Sequence, residues 1–165
     1  MTIGIDEVGR GPLAGPVVVA AVALPPGLQL ARSLKIKGRL KDSKKLTSKQ
    51  RLTYYQRIRS NPRIKFSVIK VSPRVIDRIN ITQAANLAAY RAYKKLGCQG
   101  RVLLDGGLKL PPPIKFRAII RGDQKYNEIK LASIIAKVHR DRIMNRLHCQ
   151  YSQYGFNEHQ GYGTK

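Results

Sequence analysis

Apolar positions fall along this chain in short blocks, separated by glycine, proline and clusters of basic residues. Thr2–Ile5 is short and rich in β-branched residues, and Pro16–Leu24 is an almost unbroken apolar run of strand length. The start of the chain therefore reads as strand, turn, strand, with Gly9, Arg10 and Gly11 forming the turn. Pro25, Pro26 and Gly27 end the second strand. A basic segment follows, through Lys35, Lys37, Arg39 and Lys41 to Asp42-Ser43-Lys44-Lys45, and reads as a loop. Thr47-Ser48-Lys49-Gln50 has the spacing of a capping box and opens a helix with Leu52, Tyr55 and Ile58 on one face, ending near Asn61-Pro62.

Ile64–Val71 alternates apolar and polar residues with one shift of register, which predicts a third strand. Ser72-Pro73 is a helix start, serine as cap and proline in the first position. A short helical turn leads to Asn80-Ile81-Thr82, and a longer helix carries Ala85, Ala88, Ala92 and Leu96 on a stripe that Gly97 terminates. Two further strands are predicted, Arg101–Asp105 running into Gly106-Gly107 and Phe116–Ile120 running into Arg121-Gly122-Asp123. A long helix from about Asn127 to Tyr151 closes the pattern, with Ile129, Ala132, Ser133, Ala136 and Arg140 sharing a face and its positive end expected near the acids. Strands alternating with helices imply an α/β fold with crossovers and a largely parallel core. In such sheets the strand ends of one edge collect the ligand site.

Composition changes what that edge can mean. Hydrophobic residues make up 42% of 165, enough for one real core in a single domain over residues 1–165. Lys and Arg number 32 against nine Asp and Glu, a net charge of +23, so nucleic acid is the first partner to expect. Cys98 and Cys149 lack metal or redox spacing and read as inert thiols of a reducing compartment. A strand-like start at Thr2 leaves no room for a signal sequence, and Val17–Leu24 is too short to span a bilayer, so a soluble, cytoplasmic protein is expected.

Against that basic background the acids stand out. Of the nine, four fall where three predicted strands end beside glycine: Asp6 and Glu7, Asp105, and Asp123. Four carboxylates brought together repel one another unless cations sit among them, and hard oxygen ligands suit Mg²⁺ or Mn²⁺. The others read as ordinary: Asp141 as a helix-surface partner of Lys137, Glu128 as a first-turn acid, and Asp42, Asp77 and Glu158 as solvated or capping residues. On that reading Asp141→Asn leaves the reaction rate unaltered. A dinucleotide-binding reading of Gly9-x-Gly11-x-x-Ala14 fails because Pro12 and the valine run make a strand where a helix is required. A zinc site from His139, His148 and Cys149 lacks sensible spacing, and these read as helix-surface residues. The competing class is a non-catalytic basic RNA-binding protein, which has no reason to end three strands with carboxylates.

The sequence resembles ribonuclease HII, the bacterial type 2 ribonuclease H, through GIDEVGRGPLAGPVV at 4–18, DSKKLT at 42–47, NITQAANLA at 80–88, LLDGG at 103–107, GDQKYNEIKLASIIAKVHRDR at 122–142 and YGFNEHQGYGT at 154–164. The resemblance implies a ribonuclease H-like fold: a mixed five-stranded sheet, antiparallel at the first strands and parallel beyond, flanked by helices. It implies Asp6, Glu7, Asp105 and Asp123 as ligands of two Mg²⁺ or Mn²⁺ ions. It also implies hydrolysis of the RNA strand of RNA/DNA hybrids and cleavage 5′ of ribonucleotides embedded in DNA, giving 5′-phosphate and 3′-hydroxyl ends; a monomer is expected. Gly9-Arg10-Gly11 corresponds to the family's contact with the ribose 2′-hydroxyl, and glycine suits it because a backbone without Cβ can approach a sugar closely. Tyr162 corresponds to a tyrosine that packs on the sugar beyond the ribonucleotide, and Ser43, Lys44 and Lys45 offer phosphate contacts. Relatives continue past the position of Lys165 through a further segment that helps hold the hybrid.

Overall fold

The computed structural model describes residues 1–36, 40 and 43–163, so Lys37, Arg39, Lys41 and Asp42 lie outside the described residues. Strand β1 (Thr2–Val8) and strand β2 (Val17–Leu24) pair antiparallel around the glycine-containing loop 9–16. Every residue of β2 is buried, which accounts for its unbroken apolar run: both faces of the strand are covered. Helix α1 (Leu30–Ser33) follows, a one-turn helix that the pattern did not predict. Ser43–Lys45 forms a 3₁₀ turn rather than the expected loop.

Helix α2 (Ser48–Arg59) begins with the predicted capping box: Thr47 Oγ1 accepts the Gln50 N–H at 3.2 Å while the Gln50 side chain accepts the Thr47 N–H at 2.9 Å. Tyr55 and Ile58 are buried, but Leu52, expected on their face, is exposed. Strand β3 (Lys65–Val71) pairs antiparallel with β2. The shift of its apolar register is real, since Phe66 and Val68 pack on one side of the sheet and Ile69 and Val71 on the other.

Helix α3 (Pro73–Leu96) starts at proline as predicted, although the Ser72 side chain makes no capping bond. The helix is interrupted at Asn80, whose φ of 62° is left-handed and whose side chain caps the restarted helix by accepting the Gln83 N–H at 3.0 Å. Gly97, with φ 64°, ends it. Strands β4 (Arg101–Asp105) and β5 (Phe116–Ile119) add in parallel. Helices α4 (Gly122–Lys125), α5 (Asn127–Gln150) and α6 (Phe156–His159) complete the chain.

The sheet order is β3-β2-β1-β4-β5. The largely parallel core read from the strand–helix alternation holds only from β1 through β5; the first three strands are antiparallel because the loops joining them are short or reverse direction. One face packs on the alanines of α3 and the other on α2 and α5. Central strand β1 sends Ile3 and Ile5 into the α3 side, while Gly4 meets the backbone of α5 so closely that a Cβ would lie 2.3 Å from Glu128 and Ile129 backbone atoms. Among the described residues no helix is long and apolar enough to cross a membrane.

Candidate active site

Strand alternation fixes where the first two acids go. Asp6 follows Gly4 onto the α5 side, and Glu7 follows Ile3 and Ile5 toward α3. Both lie at the end of β1, opposite Ala20 and Val19 of β2, as the sequence suggested, although the strand runs on to Val8. Pairing with β4 does stop at Ile5↔Leu104, so the acids emerge where the parallel ladder opens. Asp105 ends β4 as predicted. Asp123 sits one step further on, in the single turn of α4, rather than at a strand end.

These four carboxylates line one cavity of about 260 Å³, together with Ser43, Lys44, Arg51, Ser133, Lys137 and Tyr162. Asp6 is buried; its Oδ1 accepts the Glu7 N–H at 2.8 Å and it also accepts from the Ser133 hydroxyl. Ser133 Oγ in turn lies 2.7 Å from Ser43 Oγ. Asp105 Oδ1 accepts the Gly122 N–H at 2.6 Å, an amide of α4, the short helix that precedes α5. Glu7 Oε1 pairs with Arg10 Nη1 at 3.2 Å, and Asp123 Oδ2 with Lys44 Nζ at 3.6 Å.

Burial in the cavity works against ionised acids. Burial pushes the Asp6 carboxyl well above the ordinary carboxylate range, and the charges of Asp105 and Glu7 add to it. Burial raises Glu7 as well, against the pull of Arg10, and raises Asp105 against the Gly122 amide with Asp123 adding repulsion. Glu7 Oε2 is buried without a hydrogen-bond partner. An orphaned buried oxygen, three carboxyls pushed upward and an all-oxygen donor set fit hard divalent cations. Among the described residues no three such side chains close on one point in the manner of a finished coordination cluster; they line the walls, with Arg10 and Lys44 drawn onto Glu7 and Asp123.

The sugar-reading candidates sit on the rim. Gly9 has φ 97°, and a Cβ there would fall 2.6 Å from Arg140 Nε and from the Pro16 carbonyl, so both the conformation and the space require glycine. Gly11 lies beside Tyr162, whose Cε1 would be 3.8 Å from an added Cβ. Arg10 Nη2 reaches Thr82 Oγ1 at 3.4 Å. Tyr162 is half exposed. Ser43 is buried and Lys44 exposed at the cavity, while Lys45 is exposed and does not line it.

Several contributors escaped the sequence reading. Asp141 is not a simple helix-surface partner: besides Lys137 at 2.8 Å it meets Arg51 at 3.4 Å, and Arg51 donates to the Ser43 carbonyl at 3.3 Å, bracing the turn that carries Lys44. His139 is likewise half-buried, 3.2 Å from the Tyr55 hydroxyl and edge-on to its ring. Ser133 and Arg140 lie on the helix face that periodicity predicts, and the structure buries both; a serine and an arginine on an otherwise apolar stripe were the available signal that the stripe does more than pack.

A five-stranded sheet in this order, antiparallel on one side of β1 and parallel on the other, with helices on both faces, is the ribonuclease H-like fold. A sequence model described as Ribonuclease HII matches residues 3–165. The ribonuclease HII of Bacillus cereus (strain AH820) is 51% identical over 167 residues, covering 98% of this chain and 60% of that relative. The crystal structure of the ribonuclease H2 from Pyrococcus horikoshii OT3 superposes with a TM-score of 0.79 at 27% identity, over 99% of this chain and 81% of that one. A chain of the PCNA:RNase HII complex from Archaeoglobus fulgidus superposes with a TM-score of 0.76 at 29% identity, over 100% of this chain and 82% of that one. The chain belongs to the ribonuclease HII family. It spans about 60% of the length of the curated relatives it matches.

Proposed function

We propose that this chain is the catalytic region of an endoribonuclease that hydrolyses the RNA strand of RNA/DNA hybrids and cuts 5′ of ribonucleotides embedded in duplex DNA, acting as a monomer in the cytoplasm. The observation that carries the reading is the convergence of four of the nine acids on one cavity, beside Gly9-Arg10-Gly11 and Tyr162, in a protein of net charge +23. Asp6, Glu7, Asp105 and Asp123 would hold two divalent ions, Mg²⁺ or Mn²⁺. Bound there, such ions supply an activated water and offset charge at the scissile phosphate and at the leaving 3′ oxygen.

The remaining work belongs to the chain. The Ser43–Ser133–Asp6 hydroxyl relay keeps Asp6 an oriented acceptor, and the Gly122 amide does the same for Asp105. Lys44 stands at the mouth, where a phosphate would compete with Asp123 for its ammonium. The backbone of residues 9–11 can approach a ribose 2′-hydroxyl, and the exposed ring of Tyr162 can pack on the neighbouring sugar, where an extra hydroxyl would crowd it. Non-catalytic RNA binding is disfavoured, since a buried acid pocket repels the phosphates such a protein would hold.

The test is incubation of the pure protein with a duplex carrying one embedded ribonucleotide, in Mg²⁺, Mn²⁺ or EDTA. A single cut on the 5′ side of the ribonucleotide, leaving 5′-phosphate and abolished by EDTA, is expected; binding without cutting in either metal overturns the reading. Duplex affinity should also fall steeply with salt and ignore base sequence.

A further inference from the structure

Among the described residues Arg140 is the largest fully buried side chain, and no carboxylate there bonds its guanidinium. Among the described residues its hydrogen bonds go to backbone carbonyls, and those carbonyls belong to two separate loops. Nε donates to Pro16 at 3.1 Å and Nη2 to Ala14 at 2.9 Å, both in the loop that carries Gly9-Arg10-Gly11. Nη1 donates to Gln160 at 2.8 Å, two residues before Tyr162. The same two loops are joined directly, since Leu13 N–H donates to the Gly161 carbonyl at 2.9 Å. Glycine lets them close: a Cβ on Gly161, already at φ 81°, would lie 2.4 Å from the Ala14 carbonyl oxygen.

Burial lowers the pKa of this guanidinium from its ordinary value, so placing it here is costly, and packing alone would be better served by an apolar side chain. Its planar fork offers what an apolar residue cannot: donors at fixed angles that hold two loops in one register. We infer that Arg140 is a positioning residue for junction recognition. It sets the spacing between the backbone that reads a 2′-hydroxyl and the Tyr162 ring that reads the next sugar, and so selects an RNA-to-DNA step over continuous RNA. The inference rests on the roles proposed above for residues 9–11 and Tyr162. Arg140 itself bonds none of the acids among the described residues; the carboxylates stand on β1, β4 and α4, and the clamped loop reaches them only through Arg10 at Glu7.

The readout is a ratio of rates, that on a duplex with one embedded ribonucleotide over that on a continuous RNA/DNA hybrid. Arg140→Lys keeps the charge but loses the fork, and Gly161→Ala forces the loops apart while leaving the arginine in place. Each is expected to lower the ratio about tenfold or more, because misplacing a recognition group by an ångström is enough to do so. Ile58→Val, a core change on α2 far from the clamp, serves as the stability control and should leave the ratio unchanged. Adding Arg140→Lys to Tyr162→Ala should lower the ratio no further, since both act through the same ring. If Tyr162→Ala lowers the ratio and both clamp variants leave it intact, Arg140 is only a structural residue and the inference is overturned. If Tyr162→Ala itself leaves the ratio intact, the assigned role of Tyr162 fails instead, and the clamp has nothing to position.

Discussion

Helices α3 and α5 have the same length, 24 residues each, and flank the same sheet, yet they bury different things. Helix α3 buries Ala84, Ala85, Ala88, Ala89 and Ala92 with Leu96, and no polar side chain. Helix α5 buries a larger apolar set but adds Ser133 and Arg140, about two turns apart on one stripe. Small side chains let α3 lie close on the strands, and its reach toward the rim is the Thr82 hydroxyl at Arg10. The polar pair lets α5 act at a distance from its axis, Ser133 on Asp6 and Arg140 on two rim loops. One helix supports the sheet; the other sets the geometry at the end of it.

The largest effects should come from the acids that α5 overlooks. Asp6→Asn or Asp123→Asn should reduce single-turnover cleavage on the order of a thousandfold or more while leaving folding intact. Metal-free stability should hold level or rise, because each change removes one of several repelling charges. The sign with pH follows for Asp6, Glu7 and Asp105. Their folded-state pKa values lie above the unfolded ones, so the metal-free protein gains stability as pH falls through the folded values and the gain ends below about 4. Thermal melts in EDTA across pH should show that slope in the wild type and a shallower one in Asp6→Asn; a slope of opposite sign would contradict the burial of these groups.

Between the two helices, the contrast sharpens with a matched pair of variants. Ala88→Leu on α3 should cost about 1–3 kcal/mol by overpacking, read by denaturant unfolding, with the turnover of folded molecules unchanged. Ser133→Ala on α5 should shift stability by about 1 kcal/mol or less yet slow cleavage several-fold, because Asp6 loses its hydroxyl donor. Equal effects on activity would erase the distinction drawn here.

Smaller consequences lie at the rim of α5. Asp141→Asn should raise KM about threefold at constant kcat, since Arg51 loses an anchor and the Lys44 turn loosens; steady-state kinetics on a hybrid checks it. The smallest effect belongs to His139. Burial, and then Arg142, lowers its pKa below the unfolded value, so folding favours the neutral ring. Its contribution to stability is present above about pH 6.5 and is lost as pH falls from there toward the folded value. His139→Gln should flatten that part of the melting curve.

Much of this was legible from local pattern. The capping box at Thr47, the break at Asn80, the end at Gly97 and the strand Arg101–Asp105 depend on residues within a turn of one another, and the chain forms them as read. The four acids were found because they contradict the surrounding charge. What stayed hidden depends on partners far away in sequence. Strand β1 continues through Glu7 only because β2 offers Ala20 and Val19 opposite the acids. Arg51 meets Asp141 across 90 positions, and Arg140 finds Ala14 across 126. Periodicity put Arg140 on one face with Ile129, Ala132, Ser133 and Ala136, but it could not say that two loops would be waiting there.

The place of β1 in the sheet has a consequence for the timing of synthesis. The strand bearing Asp6 and Glu7 is made well before its parallel neighbour, which begins at Arg101, opposite Thr2, and before the helix that covers it, which begins at Asn127. At ordinary translation speeds about 5–20 s separate the birth of the first two acids from that of their partner strand. The remaining acids and the clamp follow still later. A chain made only as far as β3 therefore holds only part of its acidic cavity, which is completed by elements that emerge well after β1.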